Sequence, residues 1–221
     1  MFSRINCSNN YPSKRIPAEK RIGPHNIDVL SILIGSLLGD GYLEKRGRGS
    51  KFCFYQEKSH AEYILWLHSR LSELGYCKPE IPKITTRSGI KGERYILRFR
   101  TYTFSSFNWI HEGFYSKNRK VLPNFIEDYL NPQALAIWIS DDGTFHKNRG
   151  LRLCTHNFTL DECKRLQNIL INKYNLKSSL IKITGTYPQQ YNVYIQKKSM
   201  DDLRSIVSPF IHSSMLYKLG I

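Results

Sequence analysis

Negative charge is scarce in this chain. Its 221 residues hold 18 acidic side chains against 33 lysines and arginines, a formal charge of +15 at pH 7. Such an excess calls for an acidic partner, and no amphipathic basic helix directs it to a membrane surface. The basic residues sit in loops and alternate along strand-like runs, the pattern of a protein that meets DNA or RNA. Long apolar runs are missing too. The longest, around Leu30 to Leu38, is too short to span a bilayer and is broken by Gly35 and closed by Gly39. No secretory signal is visible. The five cysteines (Cys7, Cys53, Cys77, Cys154, Cys163) are scattered with no Cys-x-x-Cys pair, against a zinc ribbon or a secreted disulfide scaffold. Cys154 and His156, two apart on one strand face, read as structural neighbours. With 41% hydrophobic and 13% aromatic residues, the chain has material for one large domain or two fused halves.

The amino-terminal stretch 1–25 stands apart. It carries Arg4, Lys14, Arg15, Lys20 and Arg21 with Glu19 as its only acid. A mitochondrial import signal, a basic arm touching DNA and plain disorder all have this composition, and sequence alone leaves the three open.

From Asn26 onward the chain says the same thing twice. Leu33-Ile-Gly-Ser-Leu-Leu-Gly-Asp40-Gly41 and Leu135-Ala-Ile-Trp-Ile-Ser-Asp-Asp142-Gly143 are apolar helical segments that each end in Asp-Gly. Asn26 caps a predicted helix to Leu38, and Pro132 opens the second at a favoured early position. After each Asp-Gly comes a charged turn, Lys45 to Lys51 or Lys147 to Gly150, flanked by strands. Helices follow at 60–74, with apolar Ile64, Leu67, Leu71 and Leu74, and from a Thr159 cap to Tyr174. Hairpins are predicted at 81–86 with 94–102 and at 180–184 with 191–196. Helices at 104–114 and 200–207 then precede Lys120 and Lys218. The halves are 26–125 and 126–221, with matching landmarks 96 to 102 residues apart. The fold class is α+β, a pseudo-twofold duplication of helix, two strands, helix, two strands, helix.

Strand alternation separates two faces. Arg94, Arg98 and Arg100 oppose Tyr95, Leu97 and Phe99; Asn192, Tyr194 and Gln196 oppose Tyr191, Val193 and Ile195; Arg152 and His156 oppose Leu151 and Leu153. Side chains of the first kind read base edges and grip phosphates. With Lys45, Arg46, Arg48, Lys51, Tyr55, Lys147 and Arg149 they form the candidate DNA surface.

Hydrolysis of a phosphodiester needs an activated water and relief of charge on the phosphate, and cations held by carboxylates provide both. One Asp-Gly is a common turn. Two copies, each closing an equivalent apolar helix of a duplicated basic protein, form a pattern. Gly35 and Gly39 allow close approach of the first helix, and Ala136 and Ser140 are the small residues expected opposite. Asp40 and Asp142 would then emerge side by side.

The two segments resemble the paired motifs of the LAGLIDADG homing endonucleases, in the monomeric double-motif branch, and the resemblance covers roughly 26–219. It implies two antiparallel sheets forming a saddle over a long target in double-stranded DNA, cut in both strands to leave short 3′ overhangs. It makes Asp40 and Asp142 metal ligands, with the main-chain carbonyls of Gly39 and Asp141 in the metal shell. Lys120 and Lys218 match the basic residues beside the cleavage centre, placed to polarise water or steady phosphate charge. By analogy, Gln56 sits near a catalytic water. The implied cofactor is Mg2+, with Mn2+ able to substitute, and the implied home is organellar, a mitochondrion. Ile137 and Trp138 depart from the motif and are expected to hold the second helix off. The alternative reading is an RNA maturase that assists its host group I intron. A catalytically silent DNA-binding derivative is a third, disfavoured by the intact Asp40, Asp142, Lys120 and Lys218. No intein-like segment is visible, which favours an intron-encoded chain.

Overall fold

In the computed structural model, residues 16–21, 23–89 and 92–221 are described. The expectations for Arg4, Lys14 and Arg15 lie outside the described residues. The first half runs α1 (Ile27–Leu38), β1 (Tyr42–Arg46), β2 (Gly49–Glu57), α2 (Ala61–Glu73), β3 (Ile84–Gly89), β4 (Gly92–Arg100) and α3 (Asn108–Phe114). A small hairpin, β5 (Tyr115–Ser116) and β6 (Arg119–Lys120), and a short α4 (Ile126–Tyr129) lead into the second half. That half runs α5 (Pro132–Asp142), β7 (Gly143–His146), β8 (Gly150–Cys154), α6 (Leu160–Tyr174), β9 (Ser178–Lys182), β10 (Tyr191–Gln196) and α7 (Met200–Val207), then a 3-10 turn over Ser213–Leu219. The two large sheets have the same antiparallel order, β1-β2-β4-β3 and β7-β8-β10-β9. The repetition legible in the sequence is thus a repetition of topology.

Local chemistry explains the central helices. The Asn26 side chain caps α1 by accepting from the Asp28 amide at 2.7 Å, and Asn131 caps α5 by accepting from the Ala134 amide at 2.9 Å. Asn131 also donates to the Ser31 hydroxyl at 2.7 Å, tying the two helix starts together. Every residue from Val29 to Leu38 is buried, as is every residue from Ala134 to Asp141. Helices apolar all round belong in the middle of a molecule. Here each is the other's neighbour, while α2 covers the inner face of the first sheet and α6 that of the second. In α6 Thr159 and Glu162 form a reciprocal capping box.

The helix seam differs from the sequence expectation. A Cβ at Gly35 would run into the Ala134 carbonyl and the Ile137 side chain, and one at Gly39 would lie 2.5 Å from the Asp141 Cβ. The second helix therefore offers Ala134, Ile137 and Asp141 rather than Ala136 and Ser140, whose own hydroxyl bonds back to the Ala136 carbonyl. Ile137, expected to hold the helices apart, fills the notch that Gly35 leaves. The close approach comes wholly from the glycines of α1.

Three further expectations are corrected. The first hairpin pairs 84–89 with 92–100, so β3 lies three residues later than alternation suggested. Tyr95, expected inward, is 49% exposed because it lies beyond the reach of α2 and near the hairpin tip. Leu74, expected in the core, is 45% exposed because α2 ends at Glu73. Residues 16–21 and 23–26 pack on the first half: Arg21 donates to the Thr103 carbonyl, and His25 bridges the Tyr76 and Ser106 hydroxyls at 2.8 Å each.

Candidate active site

Because Gly39 sits directly against Asp141, the ends of α1 and α5 converge, and with them three carboxyl groups. Burial first, and the neighbouring Asp40 charge second, push Asp142 up to about 7 despite the opposing pull of Lys120 and Lys218. Asp141 is buried and raised for the same two reasons. Its Oδ1 accepts from the Tyr63 hydroxyl of α2 at 2.8 Å. Its Oδ2 has no hydrogen bond of good geometry, nor has the buried Ser36 hydroxyl, whose dipole nevertheless favours the ionised acid.

Each lysine closes its own half of the site in the same way. Lys120, carried by the β5–β6 hairpin, donates to the carbonyls of Gly39 at 3.2 Å and Gly41 at 3.0 Å. Lys218, in the final 3-10 turn, donates to the Asp141 carbonyl at 3.4 Å. The carbonyls expected in a metal shell are therefore the ones the lysines hold. Burial lowers both ammonium groups, Lys120 to about 8, against the upward pull of the acids. Among the described residues no three His, Cys, Asp or Glu side chains cluster as a metal site. The available donor set is oxygen only, two carboxylates and main-chain carbonyls, which suits a hard divalent cation that keeps water ligands.

The two acids differ in their support. Gln56 donates to Asp40 Oδ2 at 2.7 Å, so its amide oxygen is free to accept from His60 Nδ1 at 3.2 Å. His60 Nε2 then takes the Tyr217 hydroxyl at 3.1 Å, which links Asp40 to the end of the other half. Burial lowers the His60 pKa and favours the neutral ring that this pattern needs. Strand register puts Thr155 where Gln56 stands, and its hydroxyl goes to the Tyr191 carbonyl instead. Tyr63, His60 and Tyr217 were not singled out from the sequence.

The register also sorts the sheet faces. On the face away from the helices lie Arg46, Lys51, Tyr55, Arg94, Arg98 and Arg100, joined by Arg87, which pairs opposite Arg94 and escaped notice in the misplaced β3. Arg98 and Arg100 are exposed and form no ion pair among the described residues, whereas Lys51 is buried against Glu44 at 3.2 Å. Lys45 points to the opposite side, toward Glu112 at 3.5 Å, and Arg48 reaches Glu19 at 3.7 Å. On the second sheet Arg152, Asn192, Tyr194 and Gln196 share the outer face, with Lys147 and Arg149 in the adjoining turn. Asn192 and Tyr194 are covered by neighbours, at 7% and 6% exposure, and His156 is taken up by Asn192 at 3.0 Å. The strand centre of this sheet is thus half closed on itself, and its open cations, Lys147 and Arg149, lie in the turn.

Comparison with known proteins bears on the family and the fold. Cytochrome b mRNA maturase bI2 of Debaryomyces hansenii is 48% identical over 200 residues, covering 89% of this chain and 75% of the relative. The protein of the same name from Saccharomyces cerevisiae is 45% identical over 208 residues, covering 90% of this chain but 49% of the relative, so the chain spans about half its length. Among solved structures, the homing endonuclease I-WcaI bound to its DNA recognition sequence superposes with a TM-score of 0.80 at 25% identity, over 91% of this chain and 90% of that one. A family model described as the LAGLIDADG DNA endonuclease family matches residues 30–203. The chain belongs to the LAGLIDADG DNA endonuclease family.

Proposed function

We propose that this protein is a site-specific, divalent-metal-dependent DNA endonuclease that cuts both strands of a long target and leaves short 3′ overhangs. The observation that carries the reading is that each half brings one Asp-Gly acid and one lysine, Asp40 and Lys120, Asp142 and Lys218, to the place where α1 and α5 converge, with both lysines acting on Asp142. Each half, 26–125 and 126–221, serves one strand. Asp40 and Asp142 would hold Mg2+, with Mn2+ as substitute, and the bound ion supplies an activated water and charge relief at the phosphate. The crowding of the three acids fits a cation, since Asp142 ionises reluctantly without one. Lys120 and Lys218 sit beside the acids, where a cation steadies the extra charge of the pentavalent phosphate. Gln56 fixes one oxygen of Asp40 and leaves the other for metal or water. Arg87, Arg94, Arg98 and Arg100 grip the duplex from the first sheet, and Arg149, Arg152 and Gln196 from the second. The protein works as a monomer in the organelle, a mitochondrion, whose intron encodes it.

The test uses a duplex that spans the uninterrupted exon junction of the host gene. Magnesium should produce one double-strand cut and EDTA should abolish it; uncut DNA at every metal concentration would overturn the reading. A second function, assistance to the host intron RNA, is favoured by the two maturases at 48% and 45% identity. Faster splicing of the intron with protein added would support it.

A further inference from the structure

One cavity lies apart from both the sheets and the acids. It measures about 320 Å3 and is lined by Trp66 and Arg70 of α2, Gln133 of α5, and Phe210, His212 and Ser213 beyond α7. Helix geometry fixes its place. Tyr63 stands level with Asp141, and Arg70 lies two turns further along α2. Gln133 precedes Asp142 by nine residues, about 14 Å along the axis of α5. The cavity therefore opens near the start of α5, remote from the end where the carboxyl groups meet.

Its lining is aromatic and polar together. The Trp66 and His212 rings are 5.4 Å apart, and Phe210 is 38% exposed beside them. The Trp66 indole N–H, the Arg70 guanidinium, the Gln133 amide and the Ser213 hydroxyl make no hydrogen bond or ion pair among the described residues. His212 uses Nδ1 on Ser214, which leaves Nε2 for a ligand. The other half is built differently at the matching point. Ile64, Leu67 and Leu71 of α2 correspond to Cys163, Leu166 and Leu170 of α6, so Arg165 stands where Trp66 does. Its guanidinium is taken up by the Leu122 and Pro123 carbonyls at 3.3 and 3.1 Å. One half seals this surface with internal hydrogen bonds, and the other leaves an aromatic ring and unused donors facing a hollow.

We propose that this cavity binds an unpaired base of single-stranded RNA. Trp66 stacks on the base, the Gln133 amide meets its edge, and Arg70 holds a neighbouring phosphate. Exposed rings beside a guanidinium and an amide are the means by which proteins hold splayed-out RNA bases. The volume is at the small end for ligand cavities and admits a ring, not a duplex. The inference rests on the maturase reading, and it lets RNA and DNA be held at the same time on different faces.

Tryptophan fluorescence of the full chain provides the test. A short single-stranded RNA of mixed sequence should quench the emission, and should do so equally with a saturating exon-junction duplex present. Trp66→Phe should abolish the quench. Arg70→Ala with Gln133→Ala, both at the surface, should weaken RNA binding at least tenfold and leave DNA cleavage and thermal unfolding unchanged. RNA bound as tightly by that double variant as by the parent would overturn the cavity assignment while the maturase reading stands. RNA displaced by the duplex would also overturn it, by placing RNA on the sheets. No RNA binding by the parent would overturn both.

Discussion

At the scale of single residues, the site is a problem of charge in a confined space. Without metal, Asp142 holds its proton up to about pH 7, whereas in the unfolded chain it ionises near 4. The folded state binds that proton more tightly, so its contribution to stability is present at low pH and is lost as pH rises from about 4 to about 7. In EDTA the melting temperature should therefore fall between pH 5 and pH 7.5, with a shallower fall in Asp142→Asn. Magnesium should raise the melting temperature more at pH 7.5 than at pH 5.5, since metal and proton compete for the same oxygens. Scanning calorimetry checks both, and identical profiles for parent and variant would contradict the charge assignment. Tyr63→Phe removes the one hydrogen bond donated to Asp141 Oδ1 inside the protein. A lost bond to a buried carboxyl costs about 1–3 kcal/mol, readable in urea unfolding. A variant as stable as the parent would mean that the bond contributes nothing. Lys120 and Lys218 came only from the family resemblance, whereas Asp40 and Asp142 could be singled out from sequence because the duplication wrote the Asp-Gly ending twice. Tyr63, and the chain from Gln56 through His60 to Tyr217, could not. Those contacts join a strand, a turn and the last helical turn across 157 residues, and no periodicity records them.

At the scale of elements, the glycines of α1 decide whether the two acids meet. Gly39→Ala would press a methyl group into Asp141, at an overpacking cost of about 1–3 kcal/mol. It should also separate Asp40 from Asp142, so cleavage should fall well beyond what the lost stability explains while target binding persists. Urea unfolding and strand-cleavage rates together test this; full cleavage by a destabilised variant would show that helix spacing does not control the site. Helix boundaries were legible because caps mark them: Asn26, Pro132 and Thr159 all stand where the sequence put them. The seam was not, because small residues advertise where a helix can be approached but not which residues of the partner arrive. The start of β3 was missed for a related reason: Ile81 is apolar like the first residue of a strand, yet it is 74% exposed and lies ahead of the first paired residue, Ile84.

At the scale of the molecule, two matching sheets present a positive surface, with Arg87, Arg98 and Arg100 on the first and Lys147, Arg149 and Arg152 on the second. Binding by such a face releases counterions, and six to ten phosphate contacts would cost roughly 10³- to 10⁵-fold in affinity between 50 and 200 mM salt. Arg98→Ala should lower the slope of that dependence by about 1, as filter binding across a salt series would show. An unchanged slope would take Arg98 off the DNA face. The fold class and the repeat were readable from order alone, since the sequence of helices and strands recurs. The docking of 16–21 and 23–26 on the first half was not, because Arg21 and His25 look like any other members of a basic leader.

The central claim is that one acid from each half completes a single reaction centre. Strand-resolved cleavage of the exon-junction duplex by the parent, Asp40→Asn and Asp142→Asn, each checked for target binding in Ca2+, tests it most directly. Both variants should bind the duplex within threefold of the parent and lose double-strand cleavage by at least a hundredfold. Either variant cutting both strands at the parent rate would contradict the claim.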